Sequence, residues 1–235
     1  MKMVYNWLNI IQDYLLPPTC ILCANSGWQG LDLCYSCYTQ LAKNSQCCQH
    51  CARPLDIPSH ISPLCGNCLS HPPAFDATYA PFLHQAATRY LITGLKFNAD
   101  YKNARLLGLL LAEGLKQNAQ HPDYILPVPL HKARYRERGF NQSIEIARTV
   151  GKELQIPVDV HSCVRHRDTP HQTRLTAKQR RTNVKNAFTI IKPITAQHIV
   201  IVDDVMTTGS TVHELARLLK KAGVLRVDVW VCARA

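Results

Sequence analysis

The sequence predicts an α/β fold: a parallel sheet flanked by helices, preceded by a small cysteine-rich metal-binding domain. Three observations predict it. Ile199 to Val202 is a continuous β-branched run, which suits a strand buried on both faces of a parallel sheet. Strand-like runs alternate with segments of helical period through the second half of the chain, which implies right-handed crossovers between parallel strands. Nine of the 11 cysteines fall between Cys20 and Cys68, most of them in CxxC pairs. The 235 residues allow a medium domain plus a small one. The Pro72-Pro73 pair reads as the linker, giving an expected division into 1–75 and 76–235.

The chain opens on an apolar helical stripe, Val4, Trp7, Leu8, Ile11 and Leu15, interrupted by Asn6, Asn9, Gln12 and Asp13. It is too short and too polar to span a bilayer and shows no cleavable signal pattern. A helix docked on its own domain is the favoured reading, ahead of a membrane-surface anchor. Four CxxC knuckles follow in order: Cys20-Cys23, Cys34-Cys37, Cys48-Cys51 and Cys65-Cys68. Each presents two thiolates from one tight turn, and a tetrahedral zinc takes two knuckles. Eight cysteines therefore suit two structural Cys₄ sites, with sequential pairing preferred over a cross-braced arrangement or a single site. Cys47 beside Cys48 leaves open which of the two ligates, and His50 and His71 are weaker alternatives. An odd cysteine total argues against a secreted disulfide framework and for a reducing compartment. The segment has few large apolar residues, so the metal is read as a fold staple.

In the second half, Asp76 to Leu83 reads as a strand and Ala86 to Phe97 as a helix ending near Lys96. Asn103 to Gln117 reads as a Leu-rich helix, and Asp123 to Leu130 as a buried strand ending in a Pro-rich turn. Asn141 is placed to start a helix carrying Ile144, Ala147, Val150 and Leu154 inward. Cys163 to Phe188 holds seven basic residues and one acid, Asp168. Leu225 to Cys232 reads as the last strand. Cys163 and Cys232 are read as small buried hydrophobes.

The most specific chemistry follows the Ile199–Val202 run. Two acids, Asp203 and Asp204, are expected to end that strand. A turn, Thr207-Thr208-Gly209-Ser210-Thr211, leads into a helix with Val212, Leu215, Leu218 and Leu219 on one side and Gly223 at its end. Gly209 lets the backbone approach a ligand. The hydroxyls and the free N–H groups at the helix start suit a phosphate monoester. The acid pair suits two neighbouring hydroxyls, so a sugar with a diol and a phosphate fits both. The chain has neither the GK[ST] ending of a nucleotide P-loop nor a GxGxxG. A second basic cluster, Lys132, Arg134, Arg136 and Arg138, is interleaved with Tyr135 and Phe140, which suits a polyanion and in particular single-stranded nucleic acid. The formal charge of +11 agrees with an anionic partner.

VIVDDVMTTGST resembles the signature of type I phosphoribosyltransferases, which bind phosphoribosyl pyrophosphate. With the cysteine-rich front and PVPLHKARYRERGFNQ, nearly the whole chain resembles the competence protein ComF family, also called GntX or amidophosphoribosyltransferase-like. The resemblance implies Mg²⁺ with the pyrophosphate and roles for Asp203 and Asp204 at the ribose. It implies a pyrophosphate contact from the loop holding Arg138. It also implies a segment that closes over substrate, with Arg167, Gln172, Arg181 and Asn183 as its principal members. Finally, it implies a cytoplasmic protein of DNA uptake and natural transformation, with an option of peripheral attachment at the inner membrane. Such a protein handles incoming single-stranded DNA beside other uptake or recombination proteins. The alternative expectation is an active phosphoribosyltransferase of nucleotide metabolism with a small-molecule acceptor.

Overall fold

The computed structural model describes residues 17–56, 63–116, 121–168 and 184–235. The stripe from Val4 to Leu15 lies outside them, as do Gln172, Arg181 and Asn183. The chain packs as two compact units, Met1–Ala42 and Lys43–Ala235.

Among its described residues, the first unit holds two cysteine turns and a short helix, α1 (Tyr35–Thr39). Leu33 is fully buried, and the Trp28 ring packs on Tyr35 and Tyr38 with centroids 5.2 and 5.1 Å away.

The second unit is organised on a parallel sheet. Its central strands are β6 (His198–Met206) and β7 (Arg226–Arg234). β3 (Tyr124–Pro127) lies beside β6, and β1 (Ala77–Tyr79) lies beside β7, with β2 (Phe82–Leu83) continuing along the far end of β7. Every pairing in this sheet is parallel. Ile199, Val200, Ile201 and Val202 are all fully buried, as a two-sided strand requires. The stretch expected as one strand from Asp76 to Leu83 is two, broken at Ala80-Pro81, where proline has no N–H for a ladder.

Around the sheet run α3 (Ala86–Asn98), α4 (Tyr101–Leu115), α6 (Gln142–Leu154) and α7 (Ser210–Lys221). Asn141 starts α6 as the sequence indicates: its side chain accepts from Ser143 N at 3.0 Å and donates to the Val128 carbonyl at 3.0 Å. The basic cluster after the Pro-rich turn forms a helix, α5 (Lys132–Arg138). His131 Nδ1 accepts from Ala133 N at its start, and Gly139 ends it at φ 81. A two-stranded antiparallel ribbon, β4 (Cys163–Arg165) with β5 (Phe188–Ile190), flanks the basic segment.

The second cysteine group belongs to this larger unit, although the sequence grouped residues 1–75 together. It sits after Lys43 and includes a short helix, α2 (Gly66–Ser70). Thr78 on β1 donates from its N to Gln49 O at 3.2 Å and from its Oγ1 to His50 O at 2.6 Å. Asn44 Nδ2 donates to the Ala52 and Ala80 carbonyls. Ala52 and Phe75 join the same buried cluster as Ile201, Val229 and Leu215. Hydrogen bonds and core contacts thus continue from the cysteine turns into the sheet without a break.

Candidate functional site

β3 is followed by a connection to one side of the sheet, and β6 by a connection to the other. The gap between their carboxyl ends is where α/β sheets bind ligands. A cleft of about 480 Å³ opens there, within the range of about 300–1,000 Å³ usual for ligand pockets. Thr207, Thr208, Gly209, Ser210 and Thr211 all line it, as do Asp203 and Asp204.

β6 does not stop at the acids, as the sequence suggested, but runs through them to Met206, because Asp203, Val205 and Met206 continue its ladder with β7. Asp203 is half-buried and Asp204 is 2% exposed. Asp203 Oδ1 accepts from Ser143 Oγ at 2.8 Å and from the Asp204 N–H at 3.0 Å. Burial, then the adjacent Asp204 charge, pushes the Asp203 carboxyl up to about 7. Asp204 is held by an ion pair with Lys96 from α3. Lys96 is therefore the counter-ion of Asp204.

The Thr207–Thr211 turn joins β6 to α7. Gly209 has φ 74, a left-handed backbone suited to glycine, and precedes α7 directly. Thr208 Oγ1 and Ser210 Oγ lie 2.8 Å apart, and the Ser210 N–H points to Thr208 Oγ1 at 3.4 Å. Hydroxyls and the positive end of α7 are thus presented from one turn.

Five basic side chains line the cleft with the two acids: Arg89, Lys96, Arg134, Arg138 and Arg165. α3 contributes Arg89, Thr93, Lys96 and Phe97 at three- and four-residue spacing, one helical face. Helical geometry also divides the basic quartet. Arg134 and Arg138, four apart on α5, line the cleft, whereas Lys132 and Arg136 are exposed and outside its lining. Arg138 Nη1 donates to Gln142 Oε1 at 2.7 Å, and its guanidinium lies 5.9 Å from the Phe97 ring centroid. Tyr135 is exposed, but Phe140 is 3% exposed and packs on Tyr101 with centroids 4.8 Å apart, so it is core rather than a stacking platform. Arg167 lies outside the cleft lining and donates to the Lys185 carbonyl at 3.3 Å. His84 also lines the cleft, and burial followed by the Lys96 charge lowers its pKa, favouring neutral imidazole.

Ser143, Lys96, Arg89, Arg165 and His84 were not among the sequence-derived site residues. Asn141 as a helix cap pointed toward Ser143 at the first turn. Nothing local marked the others.

The cysteines form two quartets: Cys20, Cys23, Cys34 and Cys37 in the first unit, and Cys48, Cys51, Cys65 and Cys68 in the second. Within each, the sulfurs lie within 4.8 Å of one another. Cys23 lies 3.6 Å from Cys34 and 3.7 Å from Cys37, and Cys51 lies 3.6 Å from Cys65. Four thiolates at about 2.3 Å from a tetrahedral zinc stand about 3.8 Å apart, so the spacing fits. Pairing is sequential, Cys48 rather than Cys47 joins the second quartet, and His50 and His71 join neither. Burial alone would raise the Cys20 thiol, but backbone N–H groups of Cys34, Leu22 and Cys23 outweigh it and bring it down to about 6. At Cys65 burial is likewise outweighed, by the Cys68 backbone and the neighbouring thiols, giving about 7. One thiol of each quartet is thus shifted toward thiolate, the form a metal binds, whereas burial and the neighbouring thiols push Cys37 up to about 12 and raise Cys68.

The comparisons with known proteins agree with this geometry. The double zinc ribbon domain family matches residues 11–69, and the phosphoribosyl transferase domain family matches residues 140–235. The chain is 38% identical to DNA utilization protein YhgH of Escherichia coli O157:H7, over 93% of this chain and 98% of that protein. It is 35% identical to Competence protein F of Haemophilus influenzae, over 86% of this chain and 90% of that protein. A hypoxanthine-guanine phosphoribosyl transferase from L. donovani aligns over 56% of this chain and 69% of its own at 17% identity and a TM-score of 0.32. A double zinc ribbon joined to a phosphoribosyl transferase domain, with such identity along nearly the whole length, makes this chain a member of the family of competence protein F and DNA utilization protein YhgH.

Proposed function

We propose that the cleft binds phosphoribosyl pyrophosphate and that the protein serves DNA uptake in natural transformation, handling incoming single-stranded DNA in the cytoplasm. The observation that carries the first part is the Thr207–Thr211 turn. It sets hydroxyls and a helix start against an acid pair in a cleft with five basic side chains. The 5-phosphate sits in the turn, where N–H groups and hydroxyls match its oxygens. Asp203 faces the ribose hydroxyls. Arg134, Arg138, Arg165 and Arg89 meet the pyrophosphate, whose charge needs several guanidinium groups in a confined space. Mg²⁺ would join pyrophosphate to this chain through Asp203 and retained waters, in keeping with its preference for oxygen ligands. It would supply charge neutralisation on the departing pyrophosphate. Gln172, Arg181 and Asn183 are assigned to the segment that closes over this ligand.

The DNA part is supported by the names of the relatives, Competence protein F and DNA utilization protein YhgH, and by the exposed outer face of α5. Lys132, Arg136 and Tyr135 offer charge and a ring outside the cleft. Among the described residues no helix is long and apolar enough to cross a membrane. Uptake or recombination proteins and the inner-membrane surface are the remaining partners this reading supplies. A second reading, catalytic transfer of the phosphoribosyl group to a small acceptor, is favoured by His84, a neutral imidazole in the same cleft.

Titration calorimetry with phosphoribosyl pyrophosphate and Mg²⁺ tests the cleft. Thr208→Asp places a negative charge at an exposed position in the turn, and loss of binding with an unchanged melting curve is the expected result. Equal binding by wild type and Thr208→Asp removes the phosphate assignment. Pyrophosphate release that depends on an added nucleophile would select the enzymatic reading.

A further inference from the structure

Arg234 stands at the end of β7 and is 4% exposed. It is not among the residues that line the cleft. It donates from Nε to the Cys51 carbonyl at 2.9 Å and from Nη1 to the Met206 carbonyl at 2.8 Å. It also donates to the Ala235 carbonyl. Cys51 is a member of the second cysteine quartet, and Met206 is the last residue of β6 before the phosphate loop. One buried side chain therefore joins a metal-ligand turn to the entry of the anion site.

The exit of the loop has a matching tie. Ala74, six residues after Cys68, donates from its N to His213 Nδ1 at 3.1 Å, in the first turn of α7. Phe75 is buried beside it, and a Cβ built on Gly209 would meet the Phe75 ring at 3.9 Å. Cys51, Ala52, Ala74 and Phe75 share one apolar cluster with Met206 and Val212. The quartet's two knuckles thus hold the loop from both ends, Cys48–Cys51 through Arg234 and Cys65–Cys68 through the segment after it.

We propose that Arg234 is a positioning residue that couples metal binding at Cys48, Cys51, Cys65 and Cys68 to the phosphate affinity of the Thr207–Thr211 turn. The physical reason is the cost of a buried guanidinium. With the quartet ligated, the Cys51 carbonyl is fixed and Arg234 has acceptors for its donors. With the quartet open, that carbonyl drifts, and the buried charge must find water or rotate. Either response releases Met206 and with it the loop entry. The N–H groups and hydroxyls that must converge on phosphate oxygens then lose their fixed geometry, and affinity falls because ordering is deferred to binding. The affinity part of this proposal rests on the phosphoribosyl reading of the cleft, but the mechanical part does not.

The test uses the full chain as wild type, Arg234→Lys, Cys65→Ala and the double variant. Arg234→Lys keeps the positive charge, but its single ammonium cannot reproduce the two-armed contact. The first readout is amide hydrogen exchange of the peptide covering Met206 to Val212. The second is phosphoribosyl pyrophosphate affinity with Mg²⁺, and zinc content is measured on every sample. Arg234→Lys is expected to retain its zinc, exchange about tenfold faster in that peptide and bind about tenfold more weakly. Cys65→Ala is expected to lose one zinc equivalent with changes of the same size, and the double variant should add little to either single one. Unchanged loop exchange in zinc-replete Arg234→Lys overturns the coupling, as does strict additivity in the double variant. A wild type that ignores phosphoribosyl pyrophosphate, while its loop exchange still responds to both substitutions, refutes the ligand assignment and upholds the coupling.

Discussion

Asp203→Asn should stabilise this protein at neutral and alkaline pH. Asparagine is nearly isosteric and keeps an oxygen for Ser143 Oγ and the Asp204 N–H, so the packing survives. What it removes is a charge that the site disfavours. Burial and the Asp204 charge raise the Asp203 carboxyl from 3.8 to about 7. The folded state therefore holds a proton that the unfolded chain releases between those two values. Stability from this group is complete below pH 3.8, declines as pH rises toward 7, and is gone above it. A shift of this size corresponds to about 4 kcal/mol at about 1.4 kcal/mol per pH unit, an upper bound. Water reaching the half-buried carboxyl reduces this to about 2 kcal/mol. Urea denaturation of both proteins at pH 5 and pH 8 measures it, and the difference between the two proteins cancels the titration of the cysteines. The advantage of Asp203→Asn should widen by about 1 kcal/mol from pH 5 to pH 8, since that interval spans about two of the three pH units, while phosphoribosyl pyrophosphate binding weakens, since a group tuned for ligand is being traded for stability. An advantage that stays constant or narrows with rising pH would refute the raised carboxyl and the burial argument behind it.

Lys96→Met leaves Asp204 buried without its counter-ion and should cost about 3 kcal/mol at pH 8, read by the same denaturation curves. Metal analysis of protein purified under reductant should give two zinc equivalents per chain, falling to one in Cys48→Ser, and a strong chelator should lower the melting temperature. Replacing both Lys132 and Arg136 with alanine should reduce the salt slope of single-strand binding by about 1.4, at about 0.7 per phosphate contact, and leave phosphoribosyl pyrophosphate affinity unchanged. Equal losses in both assays would place those side chains in the cleft instead. Gly209→Ala, at φ 74, should lose about 1 kcal/mol of stability and weaken ligand binding, checked by melting and calorimetry.

Much of this architecture was legible in the sequence because its signals are local. The buried run ahead of Asp203, the hydroxyl-rich turn and the four knuckles each sit within a few residues. The physics that shapes them, strand burial, helix capping and thiolate ligation, acts over the same distance. Asn141 as a cap is another such case. The cleft wall was less legible because it is assembled across long separations. Lys96 meets Asp204 from another helix, and Ser143 meets Asp203 across 60 positions. The quartet at 132–138 looked uniform in sequence because its alternation with other residues hid a four-residue period. Only the helix shows that Arg134 and Arg138 share a side. Phe140 looked like a stacking ring for the same reason, since its partner Tyr101 lies on a different helix. The extent of β6 was missed because acids are poor strand formers, and the ladder with β7 overrides that preference.

The close approach of the sulfurs carries a chemical consequence of its own. Thiols that stand 3.6 Å apart need only a short movement to reach the bond length of a disulfide, about 2.05 Å. Ligation prevents that step by committing each sulfur's lone pairs to the metal. Once stripped, either ribbon becomes a pair of dithiols that an oxidant can convert to cystine, each disulfide releasing two protons and two electrons to it, and an oxidised quartet no longer takes back its ion.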